Sequence, residues 1–138
     1  MAWPDATGLV IAYLGPVVAP VAVAARVPQQ SAPREPLVQV RRAGGPALPP
    51  VRDRARLDIW TWQTTDDLAM DLALQVRAAV WALSGTTLLG GVTCYRVGEF
   101  LGPRHADDPE STTPRVWATY ELDLRADQVI QPAPTIWP

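Results

Sequence analysis

The 138-residue chain has no lysine, a single cysteine, a single histidine and a single phenylalanine. With Cys94 alone, an intramolecular disulfide framework is impossible and nothing points to an oxidising compartment. Cys94 falls within an apolar strand pattern, where a buried small hydrophobe is expected. All twelve basic residues are arginine, which by itself decides nothing about function. A basic excess is missing too: the net charge is −2 and the pI about 5.2, which argues against a protein that coats nucleic acid. An uninterrupted apolar run long enough to span a membrane is also lacking. Gly8 to Ala25 imitates a secretory leader, but Asp5 precedes it without a positive charge and Pro16 and Pro20 break it, so neither a cleaved signal nor a membrane span is expected.

What is present suits one folded domain. Hydrophobic content of 48% and charged content of 19% are globular values, and the length allows a real core. The best-specified segment runs from Arg54 to Gly85. Ala55, Leu57, Ile59 and Thr61 alternate with Arg56, Asp58, Trp60 and Trp62, a half-buried strand. Thr64-Thr65-Asp66-Asp67 then supplies cap hydroxyls and first-turn carboxylates for a helix that runs to Leu83 and stops at Ser84-Gly85. This unit carries no cysteine, histidine, lysine or glycine-rich phosphate loop.

Around it, Asp5 to Leu14 predicts a short helix capped by Asp5, with Leu9, Val10, Tyr13 and Leu14 as its apolar stripe and Gly15-Pro16 as its end. Val21 to Val27 predicts a first strand and Leu37 to Arg42 a second, separated by a proline- and glutamine-bearing loop. Arg54–Gln63 is the third strand and Val92 to Leu101 the fourth. Gly102 to Pro114 reads as a polar loop holding Asp107, Asp108 and Glu110. The fifth strand, Arg115–Arg125, places Val116, Ala118, Tyr120, Leu122 and Leu124 on one face and Trp117, Thr119, Glu121, Asp123 and Arg125 on the other. Residues 1–125 thus form a single α+β domain of order α-β-β-β-α-β-β. Its mixed or antiparallel sheet has two helices packed on one face, and residues 126–138 form a proline-rich C-terminal tail.

Two features suggest contact surfaces. At 100° per residue, Leu68, Ala69, Leu72, Ala73, Val76, Ala79, Val80 and Leu83 fall on one side of the long helix, while Met70, Leu74 and Trp81 form a second, narrow ridge. That ridge fits either under a loop of the same chain or against another subunit. Residues 1–56 carry a charge of +4 and residues 57–138 carry −6. This is either a chance imbalance on a solvated surface or a pair of opposite surfaces that meet when copies pack together.

Chemistry has little to work with. His105 beside Asp107, Asp108 and Glu110 offers oxygen and nitrogen ligands, but without the length or glycine spacing of a calcium loop. A triad of His105 with Ser84 or Ser111 has no nucleophile-elbow sequence. Glu121 and Asp123 read as cross-strand charge partners of the third strand, where Arg56 and Asp58 lie on the same face, rather than as an acid–base pair. Base stacking on Trp60, Trp62 and Trp117 with Arg56 and Arg115 is weakened by the acids among them.

The ordered set of segments resembles the tail terminator (tail completion) proteins of long-tailed bacteriophages, in the version found in phages of actinobacteria. The resemblance lies in the short first helix, the strand ending Ala25-Arg26-Val27-Pro28, and Val38–Gly45 (VQVRRAGG). It continues through Asp53-Arg54-Ala55-Arg56-Leu57 to Trp62, the Asp67-to-Leu83 helix, the Asp-Pro-Glu-Ser loop at 108–111 and the strand from Thr113 through Leu122. It covers most of residues 5–125, and no single motif in it is diagnostic. The resemblance implies a non-enzymatic virion protein without cofactor, acting as a homo-oligomeric ring, commonly a hexamer, that caps the tail tube, ends its polymerisation and supports head joining. Implied partners are the tail tube protein and a head–tail connector, with genomic DNA passing through the lumen without sequence-specific binding and no membrane. The implied place is the head-proximal end of the virion tail, after assembly in the host cytoplasm. Contact candidates are Met70, Leu74, Trp81, Trp60, Trp62, Arg115, Trp117 and Trp137. Other readings are a different connector or minor tail protein, a small hydrolase or metal-dependent enzyme using His105, and a ligand-binding domain, which would need a concave apolar pocket.

Overall fold

The computed structural model describes residues 4–27, 35–48 and 52–125; the 126–138 tail, and Trp137 with it, lies outside them. The order is α1 (Ala6–Val18), β1 (Ala22–Ala24), β2 (Leu37–Arg42), β3 (Ala47–Leu48), β4 (Arg52–Trp62), α2 (Asp66–Trp81), β5 (Thr86–Leu88), β6 (Val92–His105) and β7 (Arg115–Arg125). The strands form one mixed sheet in the order β1-β2-β4-β7-β6-β5, with β3 also paired to β4. Among the described strands, β1 and β2 run parallel and every other pairing is antiparallel. The expected α-β-β-β-α-β-β order is therefore present, with β3 and β5 as two short additions.

Alternation builds the core. Ala55, Leu57 and Ile59 of β4 and Ala118, Tyr120, Leu122 and Leu124 of β7 are buried beneath Val10 and Leu14 of α1 and Leu72, Val76 and Val80 of α2. Each fully buried Leu or Val removes apolar area worth about 1.5–3 kcal/mol from water. Both helices thus lie on the same side of the sheet, and the Tyr13 hydroxyl ties them by donating to the Ala79 carbonyl at 2.8 Å. Helix α2 starts as its sequence dictates: the Thr65 side chain accepts from the Leu68 amide at 3.1 Å, and Asp66 and Asp67 occupy the first turn.

Four local expectations are corrected. Helix α1 does not end at Gly15-Pro16 but continues to Val18. The ring of Pro16 removes the donor that would reach the Ala12 carbonyl, but Ala12 is exposed to water. Val18 is buried, and Gln75 Nε2 donates to the Val17 carbonyl at 2.9 Å, so the last turn is held from outside. The first strand is three residues, not seven, because only Ala22–Ala24 find partners on β2. Leu68, at the edge of the predicted core arc and in the first turn of α2, is 45% exposed. Strand β6 runs on to His105, so the polar loop is shorter than expected and His105 is a strand residue paired with Val116.

Candidate functional site

Among the described residues, two surfaces have no covering layer: the sheet face opposite the helices, and the solvent side of α2. On the sheet face, the outward residues of β4 meet those of β7 in direct register, Arg54 with Asp123, Arg56 with Glu121, Asp58 with Thr119 and Trp60 with Trp117. Arg54 Nε donates to Asp123 Oδ1 at 2.9 Å and Arg56 Nη2 to Glu121 Oε1 at 2.7 Å. The hydrogen bond it donates to Asp123, then the Asp123 charge, holds the Arg54 guanidinium above its ordinary pKa. Asp58 Oδ1 accepts from Thr119 Oγ1 at 2.6 Å and from Trp117 Nε1 at 3.1 Å. The Trp60 and Trp117 rings stack with centroids 5.6 Å apart and planes 20° from parallel. Glu121 is thus the cross-strand partner of Arg56 that the sequence indicates. The three acids on this face are engaged: Asp123 and Glu121 hold arginines, and Asp58 orients an indole.

Strand β6 adds the exposed hydrophobic part of this face. Its register slips between Cys94 and Arg96 and again between Glu99 and Leu101. Bulges of this kind turn an extra side chain outward, and both deliver an aromatic to the arginines of β4. The Arg52 guanidinium lies 5.2 Å from the Tyr95 ring centre and that of Arg56 lies 4.1 Å from Phe100. Arg104 covers Trp117 at 4.3 Å. Tyr95, Phe100 and Leu101 remain 40%, 55% and 44% exposed. Strict alternation would put Tyr95 and Phe100, five residues apart, on opposite faces, so sequence reasoning missed them. The available signal was that the one phenylalanine of the chain lies two residues after Gly98, a glycine inside a strand pattern.

The candidate residues divide. Trp60 and Trp117 stand on the open face, half-buried by each other and by Arg104. Trp62 and Arg115 do not: Trp62 is only 2% exposed and its indole donates to Asp108 Oδ2 at 2.9 Å, while Arg115 donates to the Ala106 and Asp107 carbonyls at 2.8 and 2.9 Å. Both side chains fasten the 106–114 loop. On α2, Leu74 and Trp81 are 44% and 43% exposed. Met70 is half-covered and packs with Ala69, Ala73 and Val116 of its own chain. The Trp81 indole donates to Glu99 Oε1 at 3.3 Å, beside the Arg77–Glu99 ion pair.

The same loop answers the histidine reading. Asp108 faces inward, accepting from Trp62, from the Ser111 hydroxyl at 2.7 Å and from the Glu110 amide at 2.9 Å. Ser111 is therefore engaged with Asp108 rather than His105. No group of three His, Cys, Asp or Glu side chains converges on a metal-sized site among the described residues. Cys94 is buried, and burial pushes its thiol up to about 11. A groove of about 340 Å³ does lie between α1 and β5, lined by Leu9, Tyr13, Leu83, Leu88 and Leu89 with Thr86 and Thr87 at one side. Its lining suits an apolar side chain and offers no charged group to orient a small polar ligand.

No described helix is long and apolar enough to cross a membrane. Comparison with curated proteins finds no match. Comparison with protein families finds one: the model of the phage tail termination protein family matches residues 2–130, nearly the whole length. The matched range contains both described helices and every described strand. The chain is a member of the phage tail termination protein family.

Proposed function

We propose that this chain forms a ring that closes the phage tail tube, halts its polymerisation and presents the surface to which the head joins. Family membership supports a structural role in the virion tail. The observation that carries the finer reading is a pair of surfaces, on opposite layers of one small domain, that no described residue covers. Tyr95, Phe100 and Leu101 stand on the sheet face, and Leu74 and Trp81 on the solvent side of α2. A ring subunit needs two different patches, one for each neighbour. Exposed aromatics and leucines flanked by charge have the composition of such patches. Function then comes from contact rather than catalysis, in a subunit placed at the head-proximal end of the tail, with the tube protein on one side and a connector on the other.

Electron microscopy of tail tubes polymerised with and without the purified chain tests this. Tubes of limited length bearing a ring at one end are expected. Chain that neither forms rings nor binds tube ends would overturn the reading.

A further inference from the structure

The two uncovered surfaces have opposite charge. At one end of the sheet face Arg52 stands directly across from Arg125 in the β4–β7 register, and Arg96 lies beside Asp123. All three arginines are exposed, and none forms an ion pair among the described residues. Asp123 is already held by Arg54. Like charges placed directly opposite on neighbouring strands destabilise the sheet, so this end carries a cost that an anionic partner would remove. On α2, Asp66, Asp67 and Asp71 are all exposed, again without an ion pair among the described residues. Asp66 and Asp67 complement the helix N-terminus, but Asp71 lies in the second turn, beyond the reach of that effect.

The acids continue into the apolar ridge. Asp67, Asp71, Leu74, Ala78 and Trp81 recur at intervals of four and three along α2, one stripe at 3.6 residues per turn, and every one of them is exposed. Asp67 to Trp81 spans about 21 Å at 1.5 Å per residue. On the sheet, Arg52 to Asp58 spans about 20 Å at 3.4 Å per residue. Along that length the open face passes from Arg52, Arg96 and Arg125, through Arg56 with Phe100, to Leu101 at the level of Thr119 and Asp58. Acid, leucine and tryptophan on the helix thus run parallel to arginine, phenylalanine and leucine on the sheet.

We infer that the contact between subunits seats the outer stripe of α2 from one copy on the open sheet face of the next. Asp67 and Asp71 meet Arg52, Arg96 and Arg125, and Leu74 and Trp81 lie toward Phe100 and Leu101. The occupant of the sheet face is a second copy of this chain. A two-fold contact of either patch with itself would press like charges together, whereas patches on opposite layers join head to tail, the geometry that closes into a ring. This assignment rests on the proposed ring and specifies its interface.

The test uses charge reversal in the full chain. One variant carries Arg52→Glu and Arg125→Glu, the other Asp67→Arg and Asp71→Arg, all at exposed positions. Far-UV circular dichroism checks that each keeps the fold. Native mass spectrometry or light scattering, with tube ends added where needed, should show the unaltered chain as a ring and each variant alone as monomer. An equimolar mixture of the two should regain the ring, because each reversed patch then faces a complementary one. Assembly of either variant alone, or a mixture that stays monomeric, would overturn the inference while leaving the ring intact. Failure of the unaltered chain to assemble under any of these conditions would overturn the ring itself. Full assembly of the arginine variant with loss of binding to a short DNA duplex would reassign the sheet face to phosphate.

Discussion

Single side chains in this domain are placed with more tension at some points than at others. Tyr120 is wholly buried in the core, and its hydroxyl finds no hydrogen-bond partner among the described residues. Burial, then the nearby Glu99 carboxylate, raises its pKa well above the usual phenol range. Tyr120→Phe removes the unpaired group and keeps the ring. Chemical denaturation should show the variant as stable as the parent or more so, by up to about 1 kcal/mol, since an unsatisfied buried hydroxyl costs on that order. Cys94 behaves oppositely to a reactive thiol: its pKa rises from 9.0 to about 11, chiefly through burial. A raised pKa means that the folded state disfavours the thiolate. Its contribution to stability is intact below pH 9 and is lost as pH climbs toward 11. Thiol reagents at neutral pH should therefore leave the native chain unlabelled and modify it once unfolded, and Cys94→Ala should flatten the alkaline fall in stability between those two pH values.

Between residue and fold, the Arg42–Asp53 segment shows why part of the sequence resemblance holds. After β2 the chain bulges at Gly44 and Gly45, both at positive φ, before pairing again with β4 as β3. The Arg42 guanidinium grips both oxygens of Asp53 at 2.6 Å and also donates to the Gly44 and Gly45 carbonyls at 2.8 and 3.1 Å. The hydrogen bonds it donates to Asp53 raise the Arg42 pKa, and Asp53 itself is buried. VQVRRAGG and DRARL are therefore two halves of one structural staple. A Cβ on Gly45 would fall on the Arg54 carbonyl oxygen in a backbone region that disfavours side chains. Gly45→Ala should lower stability by about 2 kcal/mol or more in thermal or urea melts, whereas Gly44, with open space around it, should lose less on the same change. Much of the element plan was readable because β4, α2 and β7 have long, uninterrupted periods. The parts that escaped had a local reason. β5 is three residues between turns, Pro16 sits in a helix whose last turn is pinned by Gln75, and three register shifts scramble the parity of β6. The candidate site suffered most from the last of these. Trp60 and Trp117 followed from clean alternation, Tyr95 and Phe100 did not, and the inward role of Trp62 depended on a loop whose path no periodicity encodes.

For the molecule as a whole, the charges fall into two classes with different consequences. Within the subunit, Arg42–Asp53, Arg54–Asp123, Arg56–Glu121 and Arg77–Glu99 are paired at 2.6–2.9 Å, and the folded core beneath them is apolar. The outer arginines and the acids of α2 are exposed and form no ion pair among the described residues, so the attraction between them across the proposed interface is screened over about 10 Å at 0.1 M salt. Raising salt from 0.05 to 1 M should therefore weaken subunit assembly, measured as mass in solution, while the melting of the isolated subunit changes little. Equal sensitivity of both would contradict the division. One feature of the open face has an optical consequence. Indoles held 5.6 Å apart and nearly parallel share their electronic excitation, so Trp60 and Trp117 form a built-in chromophore pair. The sign and size of its circular dichroism depend on how β4 and β7 are twisted against each other. Any neighbour that settles on that face must disturb the signal, which makes the face its own label-free reporter of occupancy.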